Sequence, residues 1–286
     1  MTQKTSKWQT LKFILFLSVG FGILLYPLIT AVYYDYQSTT EVKQYKSETK
    51  TMEELKLEER IKQAKAYNAT LSENETLLDF FTADDIKKGE DLYADMLKVN
   101  EMIGTIRIPR IHQELPVYAG TKETVLQKGI GHLERTSLPV GGESSHSVVT
   151  GHRGLPDKKL FTDLPKVKKG DLIFFTNMKE TLAYKVFEIR EVTPDQTEVL
   201  NIREGKDLLT LITCTPYMIN SHRLIVTAER IPYSEELVEV TNKDHPGWKR
   251  FISVYQNYLI GTVIFITILI LYHIWRSRSI KNQQNK

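Results

Sequence analysis

The residues best suited to chemistry in this 286-residue chain surround its single cysteine. Cys214 ends the apolar run Leu208-Leu-Thr-Leu-Ile-Thr, and Thr215-Pro216 follows it, a pair that stops a strand from continuing. A cysteine at a strand end faces a loop, where a thiolate can be reached and partly desolvated. The competing reading is a buried small hydrophobe, the common fate of a free cysteine. Two companions favour the reactive one. His152 sits in Ser147-Val-Val-Thr-Gly-His-Arg-Gly, just past a strand-like run that turns at glycines. Arg223 opens Arg223-Leu-Ile-Val, and a hairpin through Pro216, Tyr217 and Asn220 brings it back to the strand end of Cys214. A thiol needs a base or a fixed cation nearby to ionise near neutral pH. A tetrahedral intermediate needs a donor at its oxyanion. A departing amine needs a proton, which an imidazole can give.

Spacing alone leaves rivals among the seven histidines. His146 precedes the same strand as His152, and His222 precedes Arg223. His112 and His132 lie in loop-like stretches without an evident companion, His245 in a polar tether and His273 in an apolar block. One Cys and scattered His show none of the usual metal-ligand spacings, so no metal is expected. A lone Cys also excludes an internal disulfide, and in an exported domain that flags a reactive thiol.

The elements that must position these residues are strands. From residue 104 the pattern alternates with period two, and short β-like runs are expected at 105–111, 114–118, 147–150, 171–176, 181–192, 208–214 and 223–230. Gly, Pro, Asn and Asp punctuate them, which predicts a mostly antiparallel barrel or sandwich. Single helical turns are expected at 123–128 and 159–164. Residues 40–100 are polar and helix-prone. Met52, Leu55, Ile61 and Ala64 predict one packed helix over 51–67, and Ile86, Leu92, Met96 and Leu97 a second over 84–99, joined by a loop at 72–82. Residues 233–249 read as a polar tether.

Two uncharged apolar blocks close the ends, residues 13–32 and about 258–275, each near the length a bilayer-crossing helix needs. Trp and Tyr mark their borders. The first block lacks a small-x-small cleavage site, which favours a retained anchor over a signal peptide. Lys4, Lys7 and Lys12 before the first block, and Arg276, Arg278 and Lys281 after the second, predict both termini inside and residues 36–250 outside. The net charge of +3, with no basic patch interleaved with aromatics, excludes nucleic acid as a partner. An exported domain without disulfides fits a bacterium, and in that setting Asn68-Ala-Thr and Asn74-Glu-Thr read as chance matches to a glycosylation pattern.

The segment Thr210-Leu-Ile-Thr-Cys-Thr-Pro-Tyr, followed by Asn220-Ser-His-Arg, resembles the active-site signature of sortases. Gly131-His-Leu-Glu-Arg-Thr-Ser-Leu-Pro-Val-Gly-Gly, running into His146-Ser-Val-Val-Thr-Gly-His-Arg-Gly-Leu-Pro and Lys159-Leu-Phe-Thr-Asp-Leu, is similar to their class C, pilin-polymerising branch, as is an added C-terminal span. The resemblance covers about residues 104–231. It implies a mostly β fold, an eight-stranded sortase-type β-barrel with short helices, beside an N-terminal helical segment and two transmembrane helices. It implies His152, Cys214 and Arg223 as the catalytic three, no cofactor, pilin subunits with LPxTG-type sorting signals as substrates, and a lysine amine as acceptor. It places the enzyme in a Gram-positive cell membrane as a two-pass protein with its catalytic domain outside. The expected division is 1–35 anchor, 36–103 helical or lid-like segment, 104–235 catalytic barrel and 236–286 tether, second span and tail. Many class C members carry an Asp-Pro-aromatic lid anchor; here Asp79-Phe80-Phe81 is the nearest match and lacks the proline ring. Three other readings compete: a housekeeping sortase acting on cell-wall precursor, an extracellular cysteine protease with water as acceptor, and a non-enzymatic two-span scaffold.

Overall fold

A computed structural model of the chain describes residues 3–71, 96–155, 158–244, 255–256, 260–272, 274 and 278. It divides into two compact units, Met1–Thr30 with Pro246–Lys286, and Ala31–His245.

In the first unit the long helix α1 (Gln3–Thr51) begins, with Pro27 inside it. Thr30 Oγ1 donates to the carbonyls of Tyr26 and Pro27, at 3.1 and 3.0 Å. Leu15, Phe16, Val19 and Ile23 are exposed along α1, and its apolar window has a mean hydropathy of 2.1. Among the described residues this is the one helix long and apolar enough to cross a membrane. The second expected span is a shorter apolar helix, Ile260–Tyr272. Phe21 and Phe265 stack with ring centroids 5.1 Å apart.

In the second unit α1 continues without a break through residues 40–51, because this stretch contains neither Gly nor Pro. Tyr45 is buried there and its hydroxyl donates to the Ile103 carbonyl at 3.2 Å. Tyr118 donates to Glu41 at 2.5 Å, and Lys46 pairs with Glu114. The next helix, α2 (Glu54–Thr70), buries Leu57, Ile61 and Ala64. The sequence pattern named Leu55 in that role, but Leu55 is 80% exposed. Leu57, Ile61 and Ala64 keep the four- and three-residue spacing of one helix face, which Leu55 leaves. Near the end of α2, Asn68 grips the backbone of Leu138 twice, as donor to its carbonyl (2.9 Å) and acceptor from its N–H (2.7 Å). The helix expected at 84–99 falls mostly outside the described residues, as does Asp79-Phe80-Phe81.

Eight strands follow: β1 (Met102–Ile108), β2 (Gln113–Ala119), β3 (Ile130–His132), β4 (Ser145–Thr150), β5 (Leu172–Thr176), β6 (Thr181–Val192), β7 (Asp207–Thr215) and β8 (His222–Ile231). They close into a barrel in the order β1-β2-β3-β4-β7-β8-β6-β5, and β5 returns to pair with β1. Closure removes the exposed edges an open sheet would present. Two pairings are parallel, β2 with β3 and β4 with β7; the rest are antiparallel. Ile106, Ile108, Val117, Phe175, Leu182, Leu209, Leu211 and Val226 are buried in the core. Strand β3, with only three residues including Gly131, left no readable alternation. It packs because Gly131 has no side chain: a Cβ there would lie 2.4 Å from the Gly120 carbonyl oxygen.

Within the expected tether at 233–249, Glu235–Asp244 is a helix. Ser234 Oγ accepts from Leu237 N at 3.3 Å, and Glu235 and Glu236 occupy the first turn, where the helix dipole favours acidic groups. Arg107 of β1 reaches this helix, donating to Thr241 Oγ1 at 3.0 Å while lying over the Phe174 ring.

Candidate active site

Strands β7 and β8 form an antiparallel hairpin whose register sets Cys214 opposite Arg223 and Thr215 opposite His222. Directly opposed residues point to one face of a sheet, and their neighbours point to the other. Arg223 therefore shares the Cys214 face, and His222 takes the opposite one. The hairpin turns through Pro216–Asn220, where the N–H groups of Ile219 and Asn220 donate to the Pro216 carbonyl. The Thr215–Pro216 bond is cis, and Met218 and Asn220 adopt left-handed backbone angles. Arg223 is buried, and its Nη1 donates to the carbonyls of Asn220 and His222 at 3.0 and 3.1 Å. The guanidinium is thus held at the mouth of the turn rather than swinging into solvent. Cys214 is a free thiol, partly exposed.

His152 arrives on the other side of β7. Parallel pairing sets Thr150 of β4 beside Ile212. Beyond the strand the chain stays attached: Gly151 N donates to the Ile212 carbonyl at 3.2 Å, and Thr213 Oγ1 donates to the Gly151 carbonyl at 2.8 Å. Two residues past Thr150, His152 is level with Cys214, which is two residues past Ile212. The His152 carbonyl accepts from the N–H of buried Phe161, which pins the loop from behind. The structure therefore brings all three expected residues to one end of three adjacent strands, with Cys214 central.

Of the rival histidines, His222 shares this strand end but takes the opposite face, while His146 and His132 lie in the barrel wall. His146 is in the barrel wall beside Leu208. Its ring bonds the Asn201 carbonyl at 2.9 Å and Thr210 Oγ1 at 2.7 Å, and Thr210 continues to Thr227. Burial pushes its pKa down to about 4. His132 is fully buried against the Ser137 carbonyl and is likewise pushed down to about 4 by burial. Both rings are neutral at physiological pH and neither can protonate a leaving group there. Among the described residues no cluster of three His, Cys, Asp or Glu is placed to hold a metal.

Arg153 and Glu123 also reach this end, and sequence reasoning missed both. Arg153 Nη1 donates to Thr215 Oγ1 at 3.1 Å and lies 3.5 Å from the Cys214 carbonyl, so it ties the His152 loop to the Cys214 turn. Its guanidinium also lies over the Tyr217 ring. Gly154 makes room for that ring, because a Cβ there would come within 2.9 Å of it. Arg153 was legible as a second cation adjacent to His152. Glu123 was not, since its approach to His152 is purely tertiary.

The Sortase domain family model matches residues 106–231, from within β1 to the end of β8. Sortase A of Streptococcus agalactiae serotype III (strain NEM316) is 32% identical over 187 residues, covering 64% of this chain and 73% of that protein. The chain belongs to the sortase family. Among solved structures, sortase C of Streptococcus pneumoniae is 48% identical with a TM-score of 0.62, covering 68% of this sortase and 97% of that chain. Sortase C2 of Group B Streptococcus pilus island 1 is 58% identical with a TM-score of 0.59, covering 63% and 100%. Both neighbours are class C. Sortases are cysteine transpeptidases, and this sortase carries its single cysteine at the barrel end just described.

Proposed function

We propose that this sortase polymerises pilin subunits, with Cys214 as nucleophile, His152 as acid and base, and Arg223 as oxyanion donor. The observation that carries the reading is the cross-strand pair Cys214–Arg223, with the His152 loop held alongside on the parallel neighbour of β7. The Cys214 thiolate attacks the Thr carbonyl of an LPxTG-type signal. Arg223 donates to the oxyanion, where a preorganised donor is worth most. The tetrahedral intermediate collapses with cleavage of the Thr–Gly bond. His152, as imidazolium, gives its proton to the departing Gly amine, leaving a thioester on Cys214. A lysine amine of the next pilin then attacks the thioester, passes a proton to the now neutral His152, and expels the thiolate. The product is an isopeptide bond, and the enzyme returns to its starting protonation state.

The likeness to sortases C at 48 and 58% identity, against 32% to a sortase A, favours the pilin-polymerising role over cell-wall anchoring. The pneumococcal relative is itself described in connection with pilin substrate specificity. The apolar part of α1 is the membrane anchor in this reading, the Ile260–Tyr272 helix belongs to a second crossing, and the barrel faces outside.

The test uses the full chain in detergent, incubated with a sorting-signal peptide with and without a lysine-bearing acceptor. An adduct of the acyl fragment on Cys214 by intact mass, absent in Cys214→Ala and discharged by the acceptor amine, is the expected result. Adduct formation in Cys214→Ala would overturn the site. Hydrolysis alone in the presence of acceptor would overturn transpeptidation.

A further inference from the structure

We propose that Glu123 is a positioning residue for His152, holding the imidazole by a carboxylate on the side away from the reacting centre. The inference rests on the reading above, in which His152 carries the proton. Nε2 of His152 is sealed from solvent and lies 3.3 Å from Glu123 Oε1, close enough to pair but without the alignment of a hydrogen bond. The carboxylate is not a drifting surface group. Glu123 opens the short helical turn Glu123–Leu126. That turn is anchored just upstream, where buried Glu134 accepts from both the Thr121 N–H (3.0 Å) and the Thr121 hydroxyl (2.9 Å). Gly120 N also donates to the His132 carbonyl at 3.1 Å, fastening the same segment to β3. One turn downstream, Gln127 Nε2 donates to Glu123 Oε1 at 2.5 Å, and Lys158 fixes the Gln127 carbonyl in turn. The His152 backbone is pinned through its carbonyl as described, so both partners of the pair stand on anchored backbone.

An imidazole with one nitrogen turned to a carboxylate presents the other to substrate, so the proton for the Gly amine leaves from Nδ1. Also at this barrel end are Cys214 on β7, Arg223 and His222 on β8, Glu191 on β6, which Thr215 Oγ1 reaches at 3.4 Å, Tyr217 in the hairpin turn, and Arg153 beside His152 itself. Arg153 and Arg223 are the cations of this set, and Glu123 is the carboxylate that faces the ring.

Glu123→Gln keeps size and removes charge. With 66% of the Glu123 side chain exposed, the pair is a surface pair in strength, and the expected loss in kcat/KM for the sorting peptide is about two- to fivefold. Three readouts separate this from a merely structural loss. The pH–rate profile of Glu123→Gln is displaced from that of the parent. The KM for the acceptor amine stays unchanged. Glu123→Asp recovers part of the rate. A profile identical to the parent, or a lowered plateau with both limbs in place, overturns the proposal. So does a loss confined to aminolysis with a raised amine KM, which makes Glu123 an acceptor subsite instead. His152→Ala, run alongside, tests the underlying reading separately: full activity there removes His152 from the chemistry whatever Glu123 does.

Discussion

Acidification should destabilise this barrel over a defined window, and the structure sets the size of the effect. His132 and His146 are buried neutral with pKa values of about 4, against an ordinary value of 6.5. A pKa depressed by folding means that the unfolded chain binds more protons between those two values, so stability rises with pH there and is lost as pH falls. The loss begins near pH 6.5 and is complete near pH 4. Between pH 7 and pH 5 each histidine costs about 2 kcal/mol, and the two together about 4 kcal/mol, a large share of an ordinary domain's stability. Asp207 works against this loss, because burial pushes its carboxyl up and a proton taken up on acidification favours the folded barrel. The perturbation is His146→Gln, which retains an amide for the Asn201 carbonyl or Thr210 and removes the titrating ring. The assay is urea unfolding of the full chain in detergent at pH 7 and pH 5, followed by circular dichroism. The difference between the two pH values should fall by about half in the variant, to about 2 kcal/mol, whatever the substitution does to absolute stability. A parent whose stability is flat from pH 7 to pH 5, or a variant with the parent's full difference, would refute the reasoning.

Arg223→Ala should lower kcat about 100- to 1,000-fold as an oxyanion donor is lost, measured by peptide cleavage, with Arg223→Lys intermediate because a single ammonium replaces the fork. Asn68→Ala strips two hydrogen bonds from the fully buried Leu138 backbone; a loss of about 1–3 kcal/mol in urea unfolding is expected, and no loss would mean that α2 does not brace the barrel. Gly131→Ala forces a methyl group against the Gly120 carbonyl and a Leu126 methyl, and should cost about 1–3 kcal/mol in the same assay, with faster hydrogen exchange in β2 and β3.

What the sequence determined by itself is whatever is encoded within a strand and its next turn. Alternation and turn residues located seven of the eight strands. The short link from Cys214 through Pro216 and Asn220 back to Arg223 made their pairing readable, because a tight hairpin permits few registers. The uncharged length of residues 13–32 announced a membrane-competent helix, since that property is local. Tertiary structure decided the rest. His152 lies 62 positions from Cys214 in the chain, and only the parallel pairing of β4 with β7 makes them neighbours. That pairing is settled by closing the whole barrel, not by any segment's own pattern. The same closure buries His146 and His132 as neutral struts while leaving His152 at the rim, although all three are histidines near strand ends. It also carries Glu123 to His152. Local composition can say which residues are able to do chemistry, but long-range closure chooses which of them meet, because the free energy that fixes non-local contacts is summed over the core as a whole.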